Sequence, residues 1–370
     1  MAVIKSRALV LEKPHTDPVV TEIDVLPPGP GEVRIKLAAS GVCGTDGHAV
    51  EGTHPMRNLP VVLGHEGAGV VESVGAGVTA LAPGDHAVCA LAVPCGTCRQ
   101  CVRGLAAHCN SPRRAQAMAG IADDGTSRLR RDGDPVYPFF GVGTLSEYTT
   151  VRQRQAVRID RELPLDEFCL AGCGVITGVG AVLNIAQVQP GDTVAVIGCG
   201  GVGANVIQAS RIAGAARIIA VDPLPAKLEL ARSFGATHTV DARTDVAAAV
   251  AEIEPDGVDV IFEVVGRPEL IAAALGMTRV GGKCVMVGIP PAGASLSFGA
   301  LAFTANRQLL GCRGGAVVPA RDLQRIVDFY RSGRLQLAEL IGLRLPLDEV
   351  GKAFAELGAS SFARSIVTFA

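Results

Sequence analysis

DTVAVIGCGGVGANVIQASRIAG, residues 192–214, decides half of the fold. A β-branched run, TVAVI, leads straight into Gly198-x-Gly200-x-x-Gly203, and apolar residues at helical spacing follow. A lone GxGxxG is a weak signal. With a strand before it, a helix after it and an acid closing the next strand, RIIAVD, it is a specific one. Gly198 allows the tight turn, Gly200 lets a pyrophosphate approach the backbone, and Gly203 lets helix and strand pack closely. The helix N-terminus offers phosphates unpaired N–H groups and the positive end of its dipole. Asp222 follows Gly203 by 19 residues, where a carboxylate accepts from adenosine ribose hydroxyls and repels a 2′-phosphate. That favours NAD over NADP.

Outward from this stretch the texture repeats. From about residue 173, strand-like runs (ARIIAVD 216–222, VDVIFEVVG 258–266, KCVMVGIP 283–290) alternate with helix-like ones such as PAKLELARSFGA. This alternation predicts βαβ units and a parallel sheet. The first third reads differently. EVRIKLAASGV (32–42), PVVLGHEGAGVVESVG (60–75) and GDHAVCALAV (84–93) are short β-type runs broken by Gly and Pro, which suits a compact β-rich unit. After about residue 318 a helical stretch, ARDLQRIVDFYRSG, leads to a closing strand, RSIVTFA.

At 370 residues two domains are expected. A composition 48% hydrophobic and 19% charged argues against disorder. A formal net charge of −2 without a run of one sign argues against nucleic acid or an anionic membrane surface as partner. No stretch reads as a signal peptide or a membrane span, and the 11 cysteines do not form a secreted disulfide pattern. A cytoplasmic protein is expected.

Four cysteines, Cys95, Cys98, Cys101 and Cys109, fall within PCGTCRQCVRGLAAHC at gaps of two, two and seven residues. Thiolates so spaced converge on one tetrahedral zinc and leave it no open position, which makes the site structural. A redox CxxC is the rival reading, and the third and fourth cysteines weigh against it. His108, beside Cys109, reads as a bystander. A second, dispersed group is Cys43 in GVCGTDGH, His65 in GHEGAG and Cys173 in LAGCGVITG. Two thiolates and an imidazole leave zinc a fourth position, although spacing alone does not group these residues.

The motifs CGTDGH, GHEGAGVVESVG, the four-cysteine lobe, GCGVITG and GCGGVG occur in this order, with DGTSR, GTLSEYTTV and ARSIVTF among them. Together, over essentially the whole chain, they resemble the zinc-dependent alcohol dehydrogenases of the medium-chain dehydrogenase/reductase superfamily. The resemblance implies an α/β protein in which a GroES-like β-rich catalytic domain (1–172 and 319–370, with a zinc lobe at about 94–110) is interrupted by a Rossmann doubly wound parallel sheet (173–318). It implies Cys43, His65 and Cys173 as ligands of a catalytic zinc, with Glu66 able to exchange onto the metal. Asp46 would orient the ligand histidine. Cys95, Cys98, Cys101 and Cys109 would hold the structural zinc. The cofactors implied are NAD and two zinc ions per chain.

For NAD, the resemblance implies Gly198, Gly200, Gly201, Val202 and Gly203 at the turn, and Asp222 and Lys227 at the adenosine ribose. Thr177 would lie near the nicotinamide and Arg364 at the pyrophosphate. Thr45 and then His48 would carry the alcohol proton toward solvent. Gly44 departs from the pattern: many relatives carry Arg or His there, so weaker NAD binding or faster release is expected.

By position, Leu91, Phe139, Phe140 and Ile289 are the expected pocket, apolar enough for primary or aromatic alcohols. Two other enzymatic readings stay open. One is a formaldehyde dehydrogenase acting on a thiol adduct; glutathione-using members carry an acid about where His54 stands, while Arg113 or Arg114 offers a carboxylate partner. The other is a nicotinoprotein with permanently bound NAD and an external acceptor. A non-catalytic NAD-binding protein would have lost its ligand residues, and all of them are present. Residues 299–315 match the region where relatives join sheets edge to edge, so a homodimer is expected.

Overall fold

In the computed structural model, which describes residues 2–91, 93–357 and 362–369, the stretch at 192–214 becomes the strand Thr193–Ile197 and the helix Gly201–Ala213. The strand lies inside a six-stranded parallel sheet ordered His238–Asp241, Arg217–Asp222, Thr193–Ile197, Val258–Glu263, Thr278–Met286, Gln308–Gly311. In chain order this is 3-2-1-4-5-6, the doubly wound order whose switch point lies beside the first strand. Thr193–Ile197 is buried along its whole length, as expected of a strand covered on both faces.

The β-rich half holds a closed five-stranded barrel and a seven-stranded sheet. The run read at 60–75 divides there into Val61–Val62, which joins the barrel, and Glu66–Val74, which joins the sheet. Gly64 makes the break, with φ +89 and the Leu145 backbone where a Cβ would stand. The closing strand Arg364–Thr368 pairs antiparallel with Glu32–Val42, so the C-terminal segment returns to the sheet formed by the N-terminal one. One continuous apolar core runs from this sheet through the helix Gly174–Gly180 into the parallel sheet. Gly180 and Gly315 pack backbone to backbone at this junction, where a Cβ on Gly180 would lie 2.3 Å from the Gly315 carbonyl oxygen. Among the described residues no single helix is long and apolar enough to cross a membrane.

Candidate active site

Strand pairing assembles the dispersed residues. Glu32–Val42 and Glu66–Val74 pair with Gly41 opposite Glu66, which sets Cys43 and His65 at adjoining strand ends. Cys43 caps the helix Gly44–Val50, and Cys173 begins the helix Gly174–Gly180. One ligand atom each from Cys43, His65, Glu66 and Cys173 lies within 4.8 Å of all the others.

The Asp46 carboxylate, fully buried, holds this corner together. Its Oδ2 accepts from Cys43 N at 3.0 Å; its Oδ1 accepts from Gly64 N at 3.0 Å and lies 3.1 Å from His65 Nδ1. The ring is thereby turned so that Nε2, buried and without a hydrogen-bond partner among the described residues, faces the thiols. Burial depresses the His65 pKa, yet the Asp46 charge and hydrogen bond, with Cys43, hold it well above the usual value. A hydrogen bond from Cys173, followed by the charges of Arg364 and His65, holds the Cys43 thiol well below its ordinary range despite burial. Glu66 accepts from Gly174 N at 3.1 Å and from Arg364 Nε at 3.2 Å and Nη2 at 3.3 Å. Two soft thiols and an imidazole with an orphaned nitrogen fit a zinc ion whose fourth position stays open.

Cys43 and Cys173 open onto a cavity of about 550 Å³ that reaches the glycine turn. Thr45, His48, Thr177, Gly198, Gly200, Gly201, Val202, Asp222, Lys227 and Arg364 all line it. Gly198 has φ +92, and a Cβ on Gly203 would stand 1.8 Å from the Gly198 carbonyl oxygen, so neither position tolerates a larger residue. Asp222 is fixed by Cys199 N at 2.9 Å and Leu224 N at 3.0 Å. The Arg364 guanidinium lies over Gly201 and also contacts Cys43 Sγ at 3.7 Å.

The expected pocket needs one correction. Leu91, Phe140 and Ile289 line the cavity, but Phe139 is buried behind it, 4.2 Å from the Phe140 ring and edge-on to His65 at 5.8 Å. Phe140 takes φ +53, and the two adjacent rings stay packed on each other, tilted by 34°. The strand reading at 258–266 and 283–290 missed a wall of the cavity made by Val264, Val265, Val287 and Gly288. The available signal was a glycine closing each apolar run.

The four lobe cysteines are free thiols whose Sγ atoms also lie within 4.8 Å of one another. Cys95 Sγ accepts from Cys98 N at 3.2 Å, and Cys109 Sγ accepts from Cys95 N at 3.4 Å. Hydrogen bonds from Thr97 and Cys98 bring Cys95 down to about 5, the thiolate form a metal requires. Four sulfurs facing one point fit a closed zinc site.

Residues 29–161 match the alcohol dehydrogenase GroES-like domain, and residues 201–332 match the zinc-binding dehydrogenase domain. The chain is 39% identical to the S-(hydroxymethyl)glutathione dehydrogenase of Photobacterium damsela subsp. piscicida, over 99% of this chain and 100% of that protein. Among solved structures, an alcohol dehydrogenase zinc-binding domain protein from Burkholderia ambifaria superposes with TM-score 0.94 at 32% identity, with all of both chains covered. The benzyl alcohol dehydrogenase of Acinetobacter calcoaceticus superposes with TM-score 0.93 at 30% identity, covering 99% of this chain and 100% of that one. The chain belongs to the zinc-dependent alcohol dehydrogenases of the medium-chain dehydrogenase/reductase superfamily, enzymes whose cofactors here are NAD and two zinc ions.

Proposed function

We propose that this enzyme oxidises a primary or aromatic alcohol reversibly to the aldehyde, with Cys43, His65 and Cys173 holding the reactive zinc and Glu66 beside it. The observation that carries this reading is the shared cavity: Cys43 and Cys173 of the ligand cluster, Thr45, His48, Thr177 and the glycine turn border one space, with Leu91, Phe140 and Ile289 also on its wall. Zinc bound there supplies Lewis acidity toward an alcohol oxygen, and nicotinamide supplies a hydride acceptor.

The chain's own residues do the rest. Thr45 Oγ1, 3.8 Å from Cys43 Sγ, takes the proton of the alcohol hydroxyl. His48, half-buried three residues further along the same helix, passes it toward water. Asp46 keeps the proton of His65 on Nδ1. Asp222 and Lys227 bind the adenosine ribose of NAD, Gly200, Gly201 and Val202 its pyrophosphate with Arg364, and Thr177 borders the nicotinamide. Cys95, Cys98, Cys101 and Cys109 hold the structural zinc. The split domain arrangement, 1–172 with 319–370 around 173–318, agrees with the return of Arg364–Thr368 to the N-terminal sheet.

A homodimer joined at Gln308–Gly311 is part of the proposal. That strand ends the parallel sheet, with one side unpaired among the described residues, and Leu301 and Phe303 beside it are 80% and 45% exposed. A reducing, cytoplasmic location fits eleven cysteines without a disulfide. Arg114 favours a second substrate reading. Its Nε is buried without a partner among the described residues, and burial first, then the Arg313 charge, disfavours its cation, an arrangement suited to the carboxylate of a thiol adduct.

An assay of NAD reduction separates the two readings, with benzyl alcohol and short primary alcohols on one side and formaldehyde with or without glutathione on the other. Turnover of free alcohols is expected. Turnover confined to formaldehyde plus a thiol would overturn the first reading in favour of the second.

A further inference from the structure

We propose that Glu263 is a positioning residue for the nicotinamide cofactor, its carboxylate fixing the turn that forms one wall of the cavity. The proposal rests on reading the cavity as the cofactor site. Glu263 ends the strand Val258–Glu263 and is fully buried. Its Oε1 accepts from Val265 N at 3.0 Å and Gly266 N at 2.9 Å, and its Oε2 lies 3.0 Å from the same Gly266 N. Its main-chain carbonyl accepts from Val287 N at 2.8 Å and Gly288 N at 2.9 Å. The next residue, Val264, donates to the Ile197 carbonyl at 2.9 Å. Glu263 and Val264 thus tie together the chain leaving three adjacent strands, at the carboxyl end of the sheet where doubly wound folds bind their ligands.

The wall so held has no slack. Gly266 sits at φ +89, and a Cβ there would lie 2.5 Å from the Ile289 carbonyl oxygen; a Cβ on Gly288 would lie 2.0 Å from Gly266 N. Val265 in turn presses on the glycine turn, its Cγ2 2.8 Å from where a Gly198 Cβ would stand. A shift of the 264–266 turn therefore moves the surface that cofactor meets. Burial makes the carboxylate costly, raising its pKa against the backbone N–H groups that favour the charged form. Asp259, on the same strand, makes a similar contact, accepting from Thr193 N at 2.8 Å, but lies at the opposite end of the sheet and borders no part of the cavity.

The test compares Glu263→Gln with Asp259→Asn. NADH dissociation constants are taken from fluorescence titration, unfolding midpoints from urea, and amide exchange from the cofactor-free proteins. In Glu263→Gln the NADH dissociation constant and the KM for NAD should rise about 10-fold while kcat at saturating NAD changes less than about threefold. The Val265 and Gly266 amides should exchange faster, and both zinc ions should remain. Asp259→Asn should lower the unfolding midpoint and leave NADH binding unchanged. Equal NADH affinity in Glu263→Gln and wild type would overturn the proposal. If Glu263→Gln does not accumulate folded, Glu263→Asp, whose shorter arm withdraws from the same N–H groups, is judged by the same comparison. Wild-type protein that fails to bind NADH would overturn the cofactor reading of the cavity instead.

Discussion

Replacing Asp46 by asparagine changes one atom and leaves the packing intact, so it isolates what the charge and its three contacts do. An asparagine keeps an oxygen on one side only. With that oxygen toward Gly64 N and His65, its amide nitrogen faces the Cys43 N–H that Oδ2 now accepts at 3.0 Å. One charge-assisted bond is lost and a buried N–H is orphaned, a cost on the order of 3 kcal/mol. With the amide reversed, its nitrogen opposes Gly64 N–H, and His65 must accept at Nδ1. The imidazole proton then moves to Nε2, the atom that has no partner and faces the thiols. Either way the ligand set is worse prepared, and zinc affinity at Cys43, His65 and Cys173 should fall about 10–100-fold. Chelator titration with zinc measured per chain reads this directly. The step belonging to these residues should move to 10–100-fold lower chelator in Asp46→Asn, with the lobe step unmoved. An unmoved first step, or an equal shift of both, would refute the reasoning.

Cys101→Ser assigns the two steps: zinc should drop from two per chain to one, and the melting temperature should fall by at least about 5 °C, read by calorimetry with metal analysis. Gly203→Ala should raise the NADH dissociation constant at least about 10-fold, because the added methyl meets the Gly198 carbonyl oxygen at 1.8 Å and forces the turn apart; a fluorescence titration matching wild type would count against the turn as the pyrophosphate site. Gly44→Arg adds a cation at an exposed cavity position with nothing within 4 Å, where Arg364 is already engaged by Glu66. NAD should bind several-fold tighter in a salt-sensitive manner, and an unchanged or weaker constant by calorimetric titration would contradict the reading of Gly44.

What was legible in the chain follows from how far apart the cooperating residues lie. TVAVIGCGGVG carries its strand, turn and helix within one local stretch, and Gly198 at φ +92 and the crowded Gly203 do what their spacing implies. The lobe is equally local: four sulfurs within fifteen residues leave few ways to meet. Cys43, His65 and Cys173 are another matter. Their gathering depends on the register that sets Gly41 opposite Glu66 and on the helix Gly174–Gly180 reaching that sheet, and no local pattern encodes either. Only resemblance grouped them. The strand His238–Asp241 also escaped reading, since four residues with polar members give too little alternation to mark a strand, and the edge strand Gln308–Gly311 is reached only through resemblance over 299–315.

The misplacement of Phe139 has a different origin. Residues 139 and 140 are identical in chemistry and adjacent, so hydropathy cannot say which one faces the cavity. The backbone decides: Phe140 is held left-handed, its carbonyl accepting from the buried Gln155 Nε2 at 3.1 Å, while Gly141 at φ +73 comes so close to the Ala117 carbonyl that a Cβ would lie 2.2 Å away. A phenylalanine at positive φ costs about 1–3 kcal/mol and persists only where its surroundings impose it. Gln155 and Ala117 lie 15 and 23 residues from Phe140, in opposite directions along the chain. The same holds for Glu66, whose oxygens meet an arginine almost 300 residues later, so that the cluster at Cys43 and the turn at Gly201 share one guanidinium. Motifs therefore supplied the candidate parts of this site, whereas the direction each part faces is set by contacts that only the folded chain makes.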